Sequence, residues 1–108
     1  MLSVNGSTIV MIRGDTGTLN IALKLDGTQY AISSTDKAAF SLKADFSATA
    51  YILQKSIPTT GKIKFTHDDT NDLGAGSYVW DIQVTTASGE VFTVGPGRMK
   101  ILPDVTRE

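Results

Sequence analysis

From Ser77 to Thr86 the chain alternates, with Tyr78, Trp80, Ile82 and Val84 apolar or aromatic and Asp81, Gln83 and Thr85 polar between them. A period of two puts successive side chains on opposite sides of an extended backbone, whereas a helix would scatter the same residues around its circumference. The stretch therefore predicts a strand with one face toward a core and a wetter far side. The same period recurs along the whole chain, broken about every eight to twelve residues by Gly, Asp, Asn and Ser. No window carries a helical stripe.

Thr8–Arg13 is a short β-branched run ending at Gly14-Asp15-Thr16-Gly17. Thr18–Leu25 alternates, with Leu19, Ile21, Leu23 and Leu25 on one face. Asp26-Gly27 follows, a dipeptide suited to a type I′ hairpin turn, and Gln29–Ile32 is the expected return strand. Lys37–Ala44 places Ala38, Phe40, Leu42 and Ala44 together, and Asp45–Thr49 is a loop or edge crossing. Tyr51–Ile57 is stopped by Pro58, which cannot donate to a ladder. Gly61–His67 points Ile63 and Phe65 inward. The polar stretch Asp68–Gly76 has room for one helical turn over Asp69–Leu73. After Ser77–Thr86, Ala87–Gly89 turns the chain into Glu90–Val94, and Gly95-Pro96-Gly97 interrupts it as a bulge or kink before Arg98–Leu102. Short strands at this spacing predict an all-β fold, an antiparallel β-sandwich of about seven to eight strands. Residues 1–7 read as an N-terminal extension, 8–102 as the sandwich domain and 103–108 as a polar tail. Leu19, Ile21, Leu23, Phe40, Leu42, Ile63, Phe65, Tyr78, Trp80, Ile82 and Val84 are the expected core.

Composition narrows the chemistry. With no cysteine there is no disulfide framework, thiolate nucleophile or sulfur-bound zinc. The net charge is −1 and the basic residues are scattered singly along the sequence, a poor match to a phosphate backbone. No uninterrupted apolar run is longer than the four residues of Ile9–Ile12, far short of a membrane span, and the N-terminus lacks the regions of a signal peptide. Synthesis in the cytoplasm, no nucleic-acid partner and no membrane insertion are expected.

His67, the one histidine, lies beside Asp68 and Asp69, as a general base oriented by a carboxylate would. No nucleophile accompanies it, so a strand-end imidazole bonded to a neighbouring loop is the preferred reading. Asp68, Asp69, Asn71 and Asp72 hold oxygen ligands of the kind calcium uses, but they lack the EF-hand order, and Asp and Asn are also ordinary capping residues. Arg13-Gly14-Asp15 is the tripeptide read by integrins, yet Gly-Asp after a strand is common turn chemistry. Tyr78 and Trp80 would stack on sugars if exposed; their shared parity with Ile82 and Val84 assigns them to the core instead. No catalytic, cofactor-binding or metal-ligating residue is expected. Ile9, Val10, Met11 and Ile12 are the candidate assembly surface, because the run is uncharged and apolar on both faces.

Several segments taken in order resemble a known family. They are Arg13-Gly14-Asp15-Thr16 before Leu19–Leu23, then Ala39-Phe40-Ser41-Leu42-Lys43 and Gly61-Lys62-Ile63-Lys64-Phe65. Asp69-Thr70, Leu73–Gln83 with its Gly-x-Tyr-x-Trp-Asp-Ile-Gln segment, Gly89, Thr93 and the closing Gly97–Ile101 strand complete the set. Together they resemble the immunoglobulin-like N-terminal domain of upper baseplate proteins and related small tail proteins of phages and prophages of Gram-positive bacteria, over about residues 8 to 102. The resemblance implies an immunoglobulin-like sandwich acting as a structural unit in the tail, baseplate or neck and head of a virion. It implies partners among other virion proteins or copies of the chain itself, no cofactor and no enzyme activity. Baseplate members carry long C-terminal extensions and this sequence ends soon after its last strand, so a stand-alone module is expected. A carbohydrate-binding or adhesion module is the alternative, and would need Tyr30, Tyr51 and Phe92 exposed.

Overall fold

The computed structural model describes residues 2–5, 8–21, 23–25 and 28–105, with residues 3–5, 23–25, 28 and 29 as backbone alone. Its fold is all-β and sandwich-like. Ten strands lie among the described residues: β1 (Leu2–Asn5), β2 (Thr8–Ile12), β3 (Gly17–Asn20), β4 (Leu23–Leu25), β5 (Thr28–Tyr30), β6 (Lys37–Lys43), β7 (Leu53–Ser56), β8 (Lys62–Phe65), β9 (Gly76–Thr85) and β10 (Val91–Leu102). One helical turn, α1 (His67–Thr70), follows β8. A six-stranded sheet runs in the order β1-β2-β10-β9-β6-β7; β3 pairs with β8, and β4 with β5.

The core lies between the large sheet and the β3–β8 pair. Ile9 and Met11 of β2, Phe40 and Leu42 of β6, Ile82 and Val84 of β9, and Met99 and Ile101 of β10 meet Leu19, Ile63 and Phe65 from the smaller layer. Phe40 is the hub: Phe65 meets it edge-on at 5.8 Å and Trp80 stacks beside it at 5.9 Å. Of the expected core, Leu19, Phe40, Leu42, Ile63, Phe65, Ile82 and Val84 are buried, while Ile21, Tyr78 and Trp80 are partly buried against it. The Leu23 side chain lies outside the described residues.

Four differences from the sequence reading have physical causes. The expected extension contributes β1, paired antiparallel to β2 with Leu2 opposite Met11. The sheet is mixed, because β2 runs parallel to β10. The strand expected over Thr18–Leu25 is two strands. Its pairing with β8 ends where the Ile21 amide bonds the Gly61 carbonyl, and β8 is reached through a turn in which the Gly61 amide bonds the Pro58 carbonyl. Beyond that point the chain pairs with its own return strand, Leu25 opposite Thr28, and the turn at Asp26-Gly27 lies outside the described residues. Finally, β10 is one strand: the register shifts between Val94 and Gly97, so Gly95-Pro96-Gly97, with its cis Gly95–Pro96 peptide, is a bulge within it.

Candidate functional site

Strand parity gives the large sheet an outer face built from Thr8, Val10 and Ile12, then Arg98, Lys100 and Leu102, then Val79, Asp81 and Gln83, then Ala39, Ser41 and Lys43. The registers set these side by side: Val10 opposite Lys100, Ile12 opposite Leu102, Arg98 opposite Val79, Val79 opposite Lys43, and Asp81 opposite Ser41. Residues scattered singly in the sequence thus become neighbours.

A cleft of about 230 Å³ opens on this face, lined by Ser41, Lys43, Phe46, Tyr51, Val79, Trp80, Asp81 and Pro96. Its floor is Val79, buried although it points away from the core. Its rim is the loop between β6 and β7, which presents Phe46 at 66% exposure and Tyr51 at 55%. The Lys43 ammonium sits 5.1 Å from the Tyr51 ring centre, a cation–π arrangement. Gln54 donates to the Ser41 hydroxyl at 3.2 Å, closing the side toward β7. The loop is held by Asp45, whose carboxylate accepts from the Ser47 hydroxyl and amide at 2.7 and 2.9 Å; those bonds hold its pKa below the usual carboxylate value. Sequence reasoning left Phe46 in an unassigned loop. Its only signal was a lone aromatic among polar residues.

The candidate assembly run splits by parity. Ile9 and Met11 are withdrawn into the core, and Val10 and Ile12 remain half-buried on the outer face. Strand addition to this run is already satisfied within the chain, since β1 occupies one edge and β10 the other. The edges of the large sheet are instead β1 and β7.

The turn after β2 is stapled to α1. Arg13 forms an ion pair with Asp104 at 3.0 Å and donates to the Leu73 carbonyl at 3.3 Å. The Gly14 amide donates to the buried Thr70 hydroxyl at 2.8 Å, and the Gly14 carbonyl receives His67 Nδ1 at 2.7 Å. A carbonyl only accepts, so Nδ1 carries the proton. The histidine thus ties strand end to loop, and the Arg13-Gly14-Asp15 segment is a locked turn. The helical turn begins two residues earlier than expected because Asp69 reaches back to the Thr66 amide at 2.7 Å, with Thr66 at the N-cap. Asp69 also pairs with Lys55 of β7 at 2.8 Å. Burial pushes the Asp69 carboxyl up, but Lys55 and the Thr66 amide outweigh it and hold the group below its usual value. Among the described residues no group of three or more His, Asp or Glu is placed to hold a metal ion.

Of the three aromatics whose exposure a glycan site would need, two are engaged. Tyr30 and Phe92 meet edge-on at 5.3 Å and pack against the core, and the Tyr30 hydroxyl donates to Asp36. That bond raises the tyrosine's pKa and, with the Ser33 amide, lowers the aspartate's. Only Tyr51 stands exposed. Trp80 stacks on Phe40 and donates its Nε1 proton to the Arg98 carbonyl at 3.2 Å, leaving one edge on the cleft. No protein-family model and no curated protein matches the sequence.

Proposed function

We propose that the chain is a non-enzymatic structural module of a phage or prophage particle, working by protein–protein contact in the tail, baseplate or neck and head. The observation that carries this reading is the outer face of the large sheet: a rigid surface offering Val10, Ile12, Leu102, Phe46 and Tyr51, with the buried Val79 as the floor between them. Apolar and aromatic residues on a fixed sheet face, rimmed by polar ones, are the ingredients of a protein contact. The strand order supports the immunoglobulin-like expectation, since β10-β9-β6-β7 follows the G-F-C-C′ order of a variable-type domain and β3–β8 the B–E pair opposite it. The module would be made in the bacterial cytoplasm and reside in the virion.

A second reading, a carbohydrate-binding module, draws on one observation: Phe46 and Tyr51 flank a cleft that also offers Asp81, Ser41 and Lys43. Stacking platforms paired with carboxylate and hydroxyl groups suit sugar rings.

Labelling of particles with an antibody against the purified protein tests the first reading. Label at a fixed position on the particle is expected, whereas protein found only in the particle-free fraction overturns it. Pull-down by purified cell walls, lost in Tyr51→Ser, would favour the second.

A further inference from the structure

The outer face of the large sheet is basic in a chain whose net charge is −1. Lys37, Lys43, Arg98 and Lys100 lie on it with Asp81, Asp36 borders it beside Lys37, and Lys37, Arg98 and Lys100 are exposed. Asp36 is engaged by the Tyr30 hydroxyl and the Ser33 amide, and other carboxylates gather at one end of the sandwich. Where β2 and β10 finish, α1 and the segment after it present Asp68 and Asp72, both exposed. Staples from Gly14 to Thr70 and His67, and from Arg13 to Leu73, fix that end to the sandwich, so the carboxylates sit on a rigid mount.

This separation constrains how copies can meet. A two-fold contact through the outer face would set four bases against four, and a two-fold contact through the α1 end would set carboxylates against carboxylates. Like charges placed opposite each other penalise such a contact. The arrangement that pairs opposite signs is face against end, a heterologous contact in which each copy keeps one surface unused for the next. Val10, Ile12 and Leu102 lie on the same face beside Lys100 and would supply the apolar part.

We propose that the outer face of the large sheet docks a second copy of this chain, presented by the end that carries Asp68 and Asp72, so that copies associate head to tail. This rests on the assembly reading above and specifies its partner.

The test uses two charge-reversed proteins and their mixture, by sedimentation velocity and light scattering. The wild type should self-associate at concentrations up to about 1 mM, with the apparent Kd weakening about tenfold or more between roughly 50 mM and 500 mM salt. Arg98→Glu with Lys100→Glu should be monomeric, and so should Asp68→Lys with Asp72→Lys. Each variant opposes like charges when it meets its own kind, whereas in the 1:1 mixture of the basic-face variant with the α1-end variant every face can meet an end of opposite charge, so the mixture should recover association. Damage to the fold cannot produce that recovery. A mixture no more associated than its parts overturns the proposal, as does a wild type monomeric throughout or a double variant that still self-associates like wild type. Because the particle-labelling experiment reads incorporation whatever the partner, label on particles beside a failed mixture defeats the head-to-tail contact alone, and absence of label defeats the assembly reading itself.

Discussion

The two faces of the six-stranded sheet are made by alternate residues of the same strands, and they differ in almost every respect. On β6 and β9 the inner face reads Ala38, Phe40, Leu42 with Trp80, Ile82, Val84, and the outer reads Ala39, Ser41, Lys43 with Val79, Asp81, Gln83. The inner face is held by packing: Phe40, Leu42 and Val84 have no solvent exposure and belong to a cluster that draws on both layers. The outer face carries only scattered contacts, such as Lys43 with Tyr51 and Gln54 with Ser41, and its features arise where distant segments meet, as where Lys43 and Arg98 flank Val79. One face carries stability and the other is free to carry recognition, because the outer side chains rest on a backbone already fixed from behind.

The sharpest way to break this contrast is to truncate the hub. Phe40→Ala should cost about 3–5 kcal/mol in chemical denaturation, since it empties a site shared by Phe65 and Trp80. Arg98→Ala on the outer face should stay within about 0.5 kcal/mol. Comparable losses at the two positions would show that the outer face is structural after all.

A smaller effect is expected where the small layer approaches the turn before β8. Gly61 has φ of +72°, and a Cβ built there would lie 2.8 Å from the Ile21 carbonyl oxygen. Gly61→Ala should therefore destabilise by about 1–3 kcal/mol. A neutral result would mean that the β3–β8 pair yields where the large sheet does not.

Asp69→Asn probes the clasp between β7 and α1. Asparagine can still accept from the Thr66 amide but loses the Lys55 ion pair, so the cost at neutral pH should be about 1 kcal/mol or less. The wild-type carboxyl is held below its ordinary value of 3.8 in the folded state. A depressed folded pKa adds stability above the unfolded pKa and loses it as pH falls through the folded one. The gap between wild type and variant should thus be full at pH 7 and close below about pH 3.8; denaturation curves at both ends of that range measure it. A gap that persists in acid would assign the effect to packing.

The smallest effect on stability should come from Phe46→Ser and Tyr51→Ser, each within about 0.5 kcal/mol by thermal melting, because both rings are more exposed than buried. Larger losses would mean that the cleft rim supports the β6–β7 connection instead of standing ready for a partner.

The period of two in Lys37–Ala44, Gly61–His67 and Ser77–Thr86 was enough to assign all three strands and most of the inner face, since parity needs no knowledge of which strands are neighbours. The turn chemistry of Pro58 placed a strand end for the same local reason, whereas Gly95–Gly97 read equally as a bulge or as a kink between two strands. Pairing partners lay beyond it. That β2 runs parallel to β10, and that the strand over Thr18–Leu25 divides because its first part pairs with β8, depend on contacts far apart in the chain. Leu2–Asn5 adds a strand through pairing with the nearby Thr8–Met11, which a period of two does not announce. The candidate surface was half legible: Ile9–Ile12 announced an apolar strand, but only the layers decide that Ile9 and Met11 face in and Val10 and Ile12 face out. The basic face and the aromatic cleft were not legible at all. Lys43, Arg98 and Lys100 are isolated charges in the sequence, and Phe46 is a lone ring in a loop. Alternation along a strand is a property of local backbone geometry, whereas a surface is a property of registry between strands, and registry is decided by the core they bury together.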